Sequence, residues 1–172
     1  MNKQSNAPAM AAGMEQAARA RADSITALGI GEMGIGNTST SAAVLSALTG
    51  ADIEVVTGRG GGLTDEGFAR KKDVLRRALT RRAVDKDDVL DVLCAVGGLD
   101  IAAMAGAFLG CARERIPAAV DGFISVVAAL CAVTLCPEVQ DYLFRFVEEG
   151  KYRTAEKLHL AFSCIFDLAA QD

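Results

Sequence analysis

Ile25-Thr26-Ala27-Leu28-Gly29-Ile30-Gly31-Glu32-Met33-Gly34-Ile35-Gly36-Asn37-Thr38-Ser39-Thr40 is the stretch on which the fold turns. Ile25 to Ile30 reads as a short buried strand that runs straight into a glycine loop, Gly31 to Gly36. Asn37 to Thr40 supplies capping residues for a helix whose apolar stripe is Ala42-Ala43-Val44-Leu45 with Ala47-Leu48, and Gly50 ends it. The same succession follows twice more. Ile53-Glu54-Val55-Val56-Thr57 reads as a second strand, followed by a second loop, Gly58-Arg59-Gly60-Gly61-Gly62. Ile116 to Val120 reads as a third, ending at Asp121-Gly122 ahead of a helix over Phe123 to Thr134. Strand, loop and helix recurring in this way favour an α/β layer fold with a mostly parallel sheet.

Between these units the chain is helical in character. Ala9 to about Ala22 is built from strong helix formers. Thr64-Asp65-Glu66 opens a long charged helix through about Ala83, with acidic residues where the macrodipole favours them. Asp87 to Ala95 and Leu99 to Ala112 read as two more helices, separated by Gly97-Gly98 as cap and turn. Beyond Pro137, Glu138 to Glu149 reads as helical, Gly150 as a break and Ala155 to Ala169 as amphipathic. Residues 1–8, polar with Pro8, read as a flexible tail, and 9–172 as a single nucleotide-binding α/β domain.

Composition narrows the function. The chain has 172 residues, 51% hydrophobic and 23% charged, which is incompatible with a disordered polymer. A net charge of −4 is a poor balance for gripping a phosphate backbone, and with no Trp and two Tyr there is little to stack bases on. No nucleic-acid partner is expected. Arg70, Lys71, Lys72, Arg76, Arg77, Arg81 and Arg82 spread around most of one helix among acidic residues and read as a solvated face. The longest apolar run, Ile124 to Cys136, is too short for a bilayer and reads as a buried helix, so no membrane association is expected. Cys94, Cys111, Cys131, Cys136 and Cys164 form no C-x-x-C pair. They read as reduced thiols of a cytoplasmic protein without a signal peptide. With His159 the sole histidine, the chain is expected to hold no metal, and no cofactor is implied.

Chemistry concentrates in the loops. Glycines at 29, 31, 34 and 36 between a strand and a helix let backbone N–H groups converge on an anion, with the positive end of the helix behind them. Gly29-x-Gly31-x-x-Gly34 satisfies a dinucleotide pattern, with Glu54 at about the required distance, and would suit an oxidoreductase. Gly31 to Thr38 nearly satisfies the P-loop pattern, but Asn37 stands where the lysine belongs. A monophosphate cradle is the economical reading, against a tight turn that binds nothing. Glu32 inside the loop favours a ligand. Lys71, near the start of its helix, is placed to turn back toward a phosphate. The loop Gly58-Arg59-Gly60 and the carboxylate of Asp121 should face the same crevice, since ligands sit outside the carboxyl ends of strands. That set suits a phosphorylated sugar: amides for the phosphate, carboxylates for hydroxyls or for positive charge developing at an anomeric carbon. A helix cap is the competing role for Asp121.

Gly31-Glu32-Met33-Gly34-Ile35-Gly36-Asn37-Thr38 resembles the signature loop of the nicotinate-nucleotide:dimethylbenzimidazole phosphoribosyltransferases, which make α-ribazole phosphate for the lower ligand of cobalamin. Gly58-Arg59-Gly60, Asp65-Glu66-Gly67-Phe68-Ala69-Arg70-Lys71, Gly97 through Gly106 and Ile116-Pro117 through Ile124 resemble that family's later segments, in order. The resemblance implies a three-layer Rossmann-like domain binding nicotinate mononucleotide. The phosphate would lie on Gly34, Ile35, Gly36, Asn37 and Thr38 with Lys71, while Gly58, Arg59 and Gly60 line the loop. It makes Glu32 an active-site carboxylate and Asp121 a candidate for the sugar. The reaction implied is displacement of nicotinate by a benzimidazole nitrogen with inversion at the anomeric carbon. Family members are about twice as long. Tyr152 to His159 resembles an altered form of their histidine-bounded segment, and their closing Gly-Glu-Gly-Thr-Gly motif has no counterpart before Asp172. The expectation is therefore a truncated or divergent transferase, a poor catalyst alone, working as a homodimer or with a complementing chain. A ribotide-binding module derived from the family is the alternative.

Overall fold

In the computed structural model, which describes residues 3–145, the first glycine loop does follow a strand, β1, Leu28–Gly31. Helix α1, Lys3–Ala22, precedes it. After the loop come α2, Thr38–Thr49, and a single turn α3, Ile53–Val56. Three longer helices follow: α4, Asp65–Arg82, α5, Val89–Val96, and α6, Leu99–Glu114. Strand β2, Ala118–Asp121, leads into α7, Phe123–Leu135, then a 3₁₀ turn, Pro137–Tyr142, and β3, Leu143–Arg145. The three strands are parallel in the order β1-β2-β3, with Gly31 opposite Asp121 and Ala118 opposite Leu143. The α/β architecture with a parallel sheet is the one read from the sequence, and the structure is mostly helical around it.

Helix α7 is the centre of the core. Every residue from Ile124 to Val133 is buried, because it packs on β1, β2, α6 and α2 at once. An all-round apolar helix of this length belongs inside a protein. No helix among the described residues is long and apolar enough to cross a membrane. Ser125, the one hydroxyl in that buried run, donates to the Ile30 carbonyl oxygen at 2.5 Å and so ties α7 to β1 just below the glycine loop.

Three readings need correction. Ile53 to Thr57 is not a strand. Asp52 caps a helical turn there, its Oδ1 accepting from the Glu54 amide at 2.8 Å, and the Thr57 amide closes the turn on the Ile53 carbonyl. Ile53 and Val56 are buried three residues apart while Val55 is half exposed, a helical rather than an alternating pattern. Tertiary burial has overridden the β preference of Ile-Glu-Val-Val. The third strand of the sheet comes instead from Leu143–Arg145, inside the stretch read as a helix over Glu138 to Glu149. Pro137 starts only a 3₁₀ turn, and the chain then pairs with β2. Finally, the first helix starts at Lys3 rather than Ala9, and Asn6 is buried, its Nδ2 donating to Cys94 Sγ of α5 at 3.0 Å. Residues 3 to 8, read as tail, are helix. The reading of Ala155 to Ala169, and with it His159, Cys164 and the Tyr152 segment, lies outside the described residues.

Candidate functional site

The carboxyl ends of β1 and β2 lie side by side, and the loop that follows β1 forms one wall of the site. Gly31 is paired with Asp121. A Cβ at Gly31 would lie 3.3 Å from the Asp121 carboxylate oxygen, close enough to press on that side chain, so glycine eases the approach of the two strand ends. Glu32 leaves the sheet at that point and folds back, its Oε2 accepting from the Gly34 amide. Gly34 and Gly36 sit at φ +81° and +84°, the left-handed region that a side chain resists. The alternation throws Met33 and Ile35 outward, 83% and 77% exposed, and keeps the backbone between them bare.

The second glycine loop closes against the first. Lys71 on α4 donates from Nζ to Thr38 Oγ1 at 2.8 Å and to the Gly58 carbonyl at 3.0 Å, bridging the two loops. Gly60, at φ +58°, approaches so near that a Cβ there would be 3.0 Å from Thr38 Oγ1. Arg59 is held outward by three contacts: its Nη1 donates to the Leu63 carbonyl at 2.9 Å, its Nη2 pairs with Asp65, and its guanidinium lies 4.9 Å from the centroid of the Phe68 ring. Burial of the Lys71 ammonium pushes its pKa below the ordinary lysine value.

Between the loops is a cavity of about 200 Å³. Gly34, Ile35, Gly36, Thr38 and Ser39 form one wall, and Arg59, Gly60, Gly61 and Leu63, with Lys71, form the other. That volume is below the roughly 300–1,000 Å³ usual for a drug-sized ligand, and suits one compact polar group. The wall offers the main chain of the two glycine loops, the hydroxyls of Thr38 and Ser39, the amino end of α2 and the Lys71 ammonium. An anion is the complement of such a wall.

Of the residues read from the sequence, Gly34, Ile35, Gly36, Thr38, Arg59, Gly60 and Lys71 are thus brought to one cavity. Gly58 contributes its carbonyl to Lys71 but does not line the space. Asn37 turns away, its Nδ2 donating to Asp100 Oδ2 at 2.7 Å. Glu32 and Asp121 stand at the neighbouring strand ends, outside the lining. Ser39, Gly61, Leu63 and Asp100 were missed. Ser39 was legible as the next residue of the helix start, and Gly61 as part of the glycine run, but Asp100 lies 63 residues from its partner and only the fold joins them. The dinucleotide reading loses its acid, since Glu54 lies on α3 at the surface, paired with Lys72 and Arg76, which hold its carboxyl below the usual range. The cation that a P-loop carries within its own loop arrives here from α4.

A family model described as phosphoribosyltransferase matches residues 1–169. The nicotinate-nucleotide–dimethylbenzimidazole phosphoribosyltransferase of Geobacter metallireducens is 45% identical over 144 residues, covering 84% of this chain and 41% of its own. That of Desulforudis audaxviator is 55% identical over 113 residues, covering 66% and 32%. The crystal structure of CobT from Thermus thermophilus superposes with a TM-score of 0.78 at 39% identity, over 84% of this chain and 43% of that one. This chain therefore spans about two-fifths of the length of the curated relatives it matches. With the loop motifs, the parallel sheet and these relatives in agreement, the chain belongs to the nicotinate-nucleotide:dimethylbenzimidazole phosphoribosyltransferase family.

Proposed function

We propose that this chain binds the ribose phosphate of nicotinate mononucleotide and serves its transfer to dimethylbenzimidazole, giving α-ribazole phosphate. The observation that carries this reading is the convergence of two glycine loops and Lys71 on one anion-sized cavity at the carboxyl ends of parallel strands. The phosphate takes the amides of Ile35 to Thr38 and the Lys71 ammonium, beside Gly34, whose own amide is held by Glu32. Anchoring the phosphate there holds the ribose toward Glu32 and Asp121. As the bond from the anomeric carbon to the pyridine nitrogen breaks, that nitrogen takes the electron pair. Positive charge builds on the sugar, where neighbouring carboxylates stabilise it. A benzimidazole nitrogen then forms the new bond from the opposite face and sheds its proton to a base, which accounts for the inversion.

Cys111, Cys131 and Cys136 are free thiols, which suits a reducing cytoplasmic setting. The test is calorimetric titration with nicotinate mononucleotide, followed by an assay for α-ribazole phosphate after dimethylbenzimidazole is added. Saturable binding that Lys71→Met weakens supports the reading. Absence of nicotinate mononucleotide binding overturns it. Tighter binding of NAD than of the mononucleotide would revive the dinucleotide alternative, while binding without turnover would make this chain a ribotide-binding module.

A further inference from the structure

Asn37 occupies the N-cap position of α2 but does not cap it. Its backbone sits at φ −112°, ψ −1°, and its side chain makes no hydrogen bond to the helix amides. Asparagine is among the best capping residues, accepting from the second or third amide of the helix. The same chain caps α4 with Thr64 and α5 with Asp88 in that way. At Asn37 the side chain is pulled aside by the 2.7 Å bond from its Nδ2 to the Asp100 carboxylate in the first turn of α6. Its Oδ1, the atom that would have capped, is buried with no hydrogen-bond partner. The Asn37 carbonyl is fully engaged, accepting from the Thr40 and Ser41 hydroxyls and the Ser41 amide. That Ser41 amide makes the first intrahelical bond, so the amides of Thr38, Ser39 and Thr40 lie ahead of it. Thr38 and Ser39 line the cavity.

We propose that Asp100 is a positioning residue that holds the Asn37 amide away from the amino end of α2, leaving the amides of that helix open for the phosphoryl group of the ligand. The proposal rests on the phosphate reading above. A carboxylate is a stronger acceptor than a neutral partner, so Asp100 can outcompete the cap. The cost is visible in the orphaned Oδ1, a buried acceptor that capping would have satisfied. Gly98 makes the arrangement possible, because a Cβ there would collide with Asp100 Oδ1. Gly97-Gly98-Leu99-Asp100 therefore carries a binding role besides turning the chain between α5 and α6.

Ribose 5-phosphate is the probe, titrated by calorimetry into the full chain, with amide hydrogen exchange read at Ser39 and Thr40 in the ligand-free protein. Asp100→Ala is expected to lose affinity by about tenfold, the scale of one lost hydrogen bond of ordinary strength. It should also raise the protection of Ser39 and Thr40 as Asn37 swings back to cap, without lowering the thermal midpoint. Asp100→Asn, whose amide oxygen can still accept from Asn37, is expected to restore most of the affinity. Gly98→Ala, which displaces the carboxylate but keeps it, should behave like Asp100→Ala and serves if that variant does not fold. Unchanged affinity in both displaced variants overturns the inference alone. Lost affinity with no gain in protection also overturns it, leaving Asp100 a structural brace. A wild-type chain that fails to bind ribose 5-phosphate overturns the phosphate reading and this inference together.

Discussion

Lys71 shows how a single side chain is set for its work by where the backbone puts it. Half-buried between the loops, it holds Thr38 and Gly58 at once, and desolvation lowers its pKa. The folded chain thus releases this proton at lower pH than the unfolded chain. The resulting destabilisation is fully present below the folded pKa and is relieved as pH rises toward the ordinary lysine value. Under the proposed function, phosphate affinity runs the other way, because only the ammonium attracts an anion. Titrations of ribose 5-phosphate across the alkaline range should show affinity falling earlier than an ordinary lysine would allow, and Lys71→Met should abolish that pH dependence. Gly36 makes a separate prediction. A Cβ there meets nothing within 4 Å, so the cost of Gly36→Ala is in the backbone alone, at φ +84°. The expected loss is about 1–2 kcal/mol by urea denaturation, with weaker phosphate binding as the loop relaxes. These glycines were legible from spacing alone, since a run that must bare its amides has few other ways to be written.

Secondary-structure elements were read unevenly, and the reasons are physical. Helix α4 declared itself through Thr64, the acidic first turn and the Phe68, Leu75, Leu79 stripe, all local signals. Strand β2 was equally plain, read over Ile116 to Val120 ahead of Asp121 and found at Ala118–Asp121. The α3 turn misled because Ile, Val and Val favour a strand until packing demands burial three residues apart. Strand β3 was missed because pairing with β2 across the sheet is not written in residues 143–145 themselves. The contact between α1 and α6 was likewise invisible. A Cβ at Gly106 would collide with the Met10 carbonyl oxygen, and one at Gly13 with that of Ala103, so the two helices run nearly backbone to backbone. Gly106→Ala should therefore destabilise by about 1–3 kcal/mol or more, seen as a lower urea midpoint, although alanine is the better helix former. The same change at the exposed Gly61, where a Cβ meets nothing, should be far milder.

Taken together, the helices bury the sheet's neighbourhood thoroughly enough to silence two of its thiols, Cys111 and Cys131. Burial pushes Cys131 up to about 12 and Cys111 to about 11, while the Glu138 carboxylate beside Cys136 raises that thiol too. At pH 8 a thiol-specific reagent should modify Cys111 and Cys131 only as fast as the chain unfolds, a rate that nicotinate mononucleotide should slow in proportion to its occupancy. The layered α/β plan, the buried α7 and the two glycine loops follow from residue order alone, because each is dictated by near neighbours: apolar periodicity, caps, and glycines that free the main chain. Which strand completes the sheet, that Lys71 reaches Thr38 from a helix 33 residues away, and that Asp100 draws Asn37 off its own helix are matters of long-range packing. No local pattern encodes them, since each depends on two distant segments being driven together by the burial of a common core.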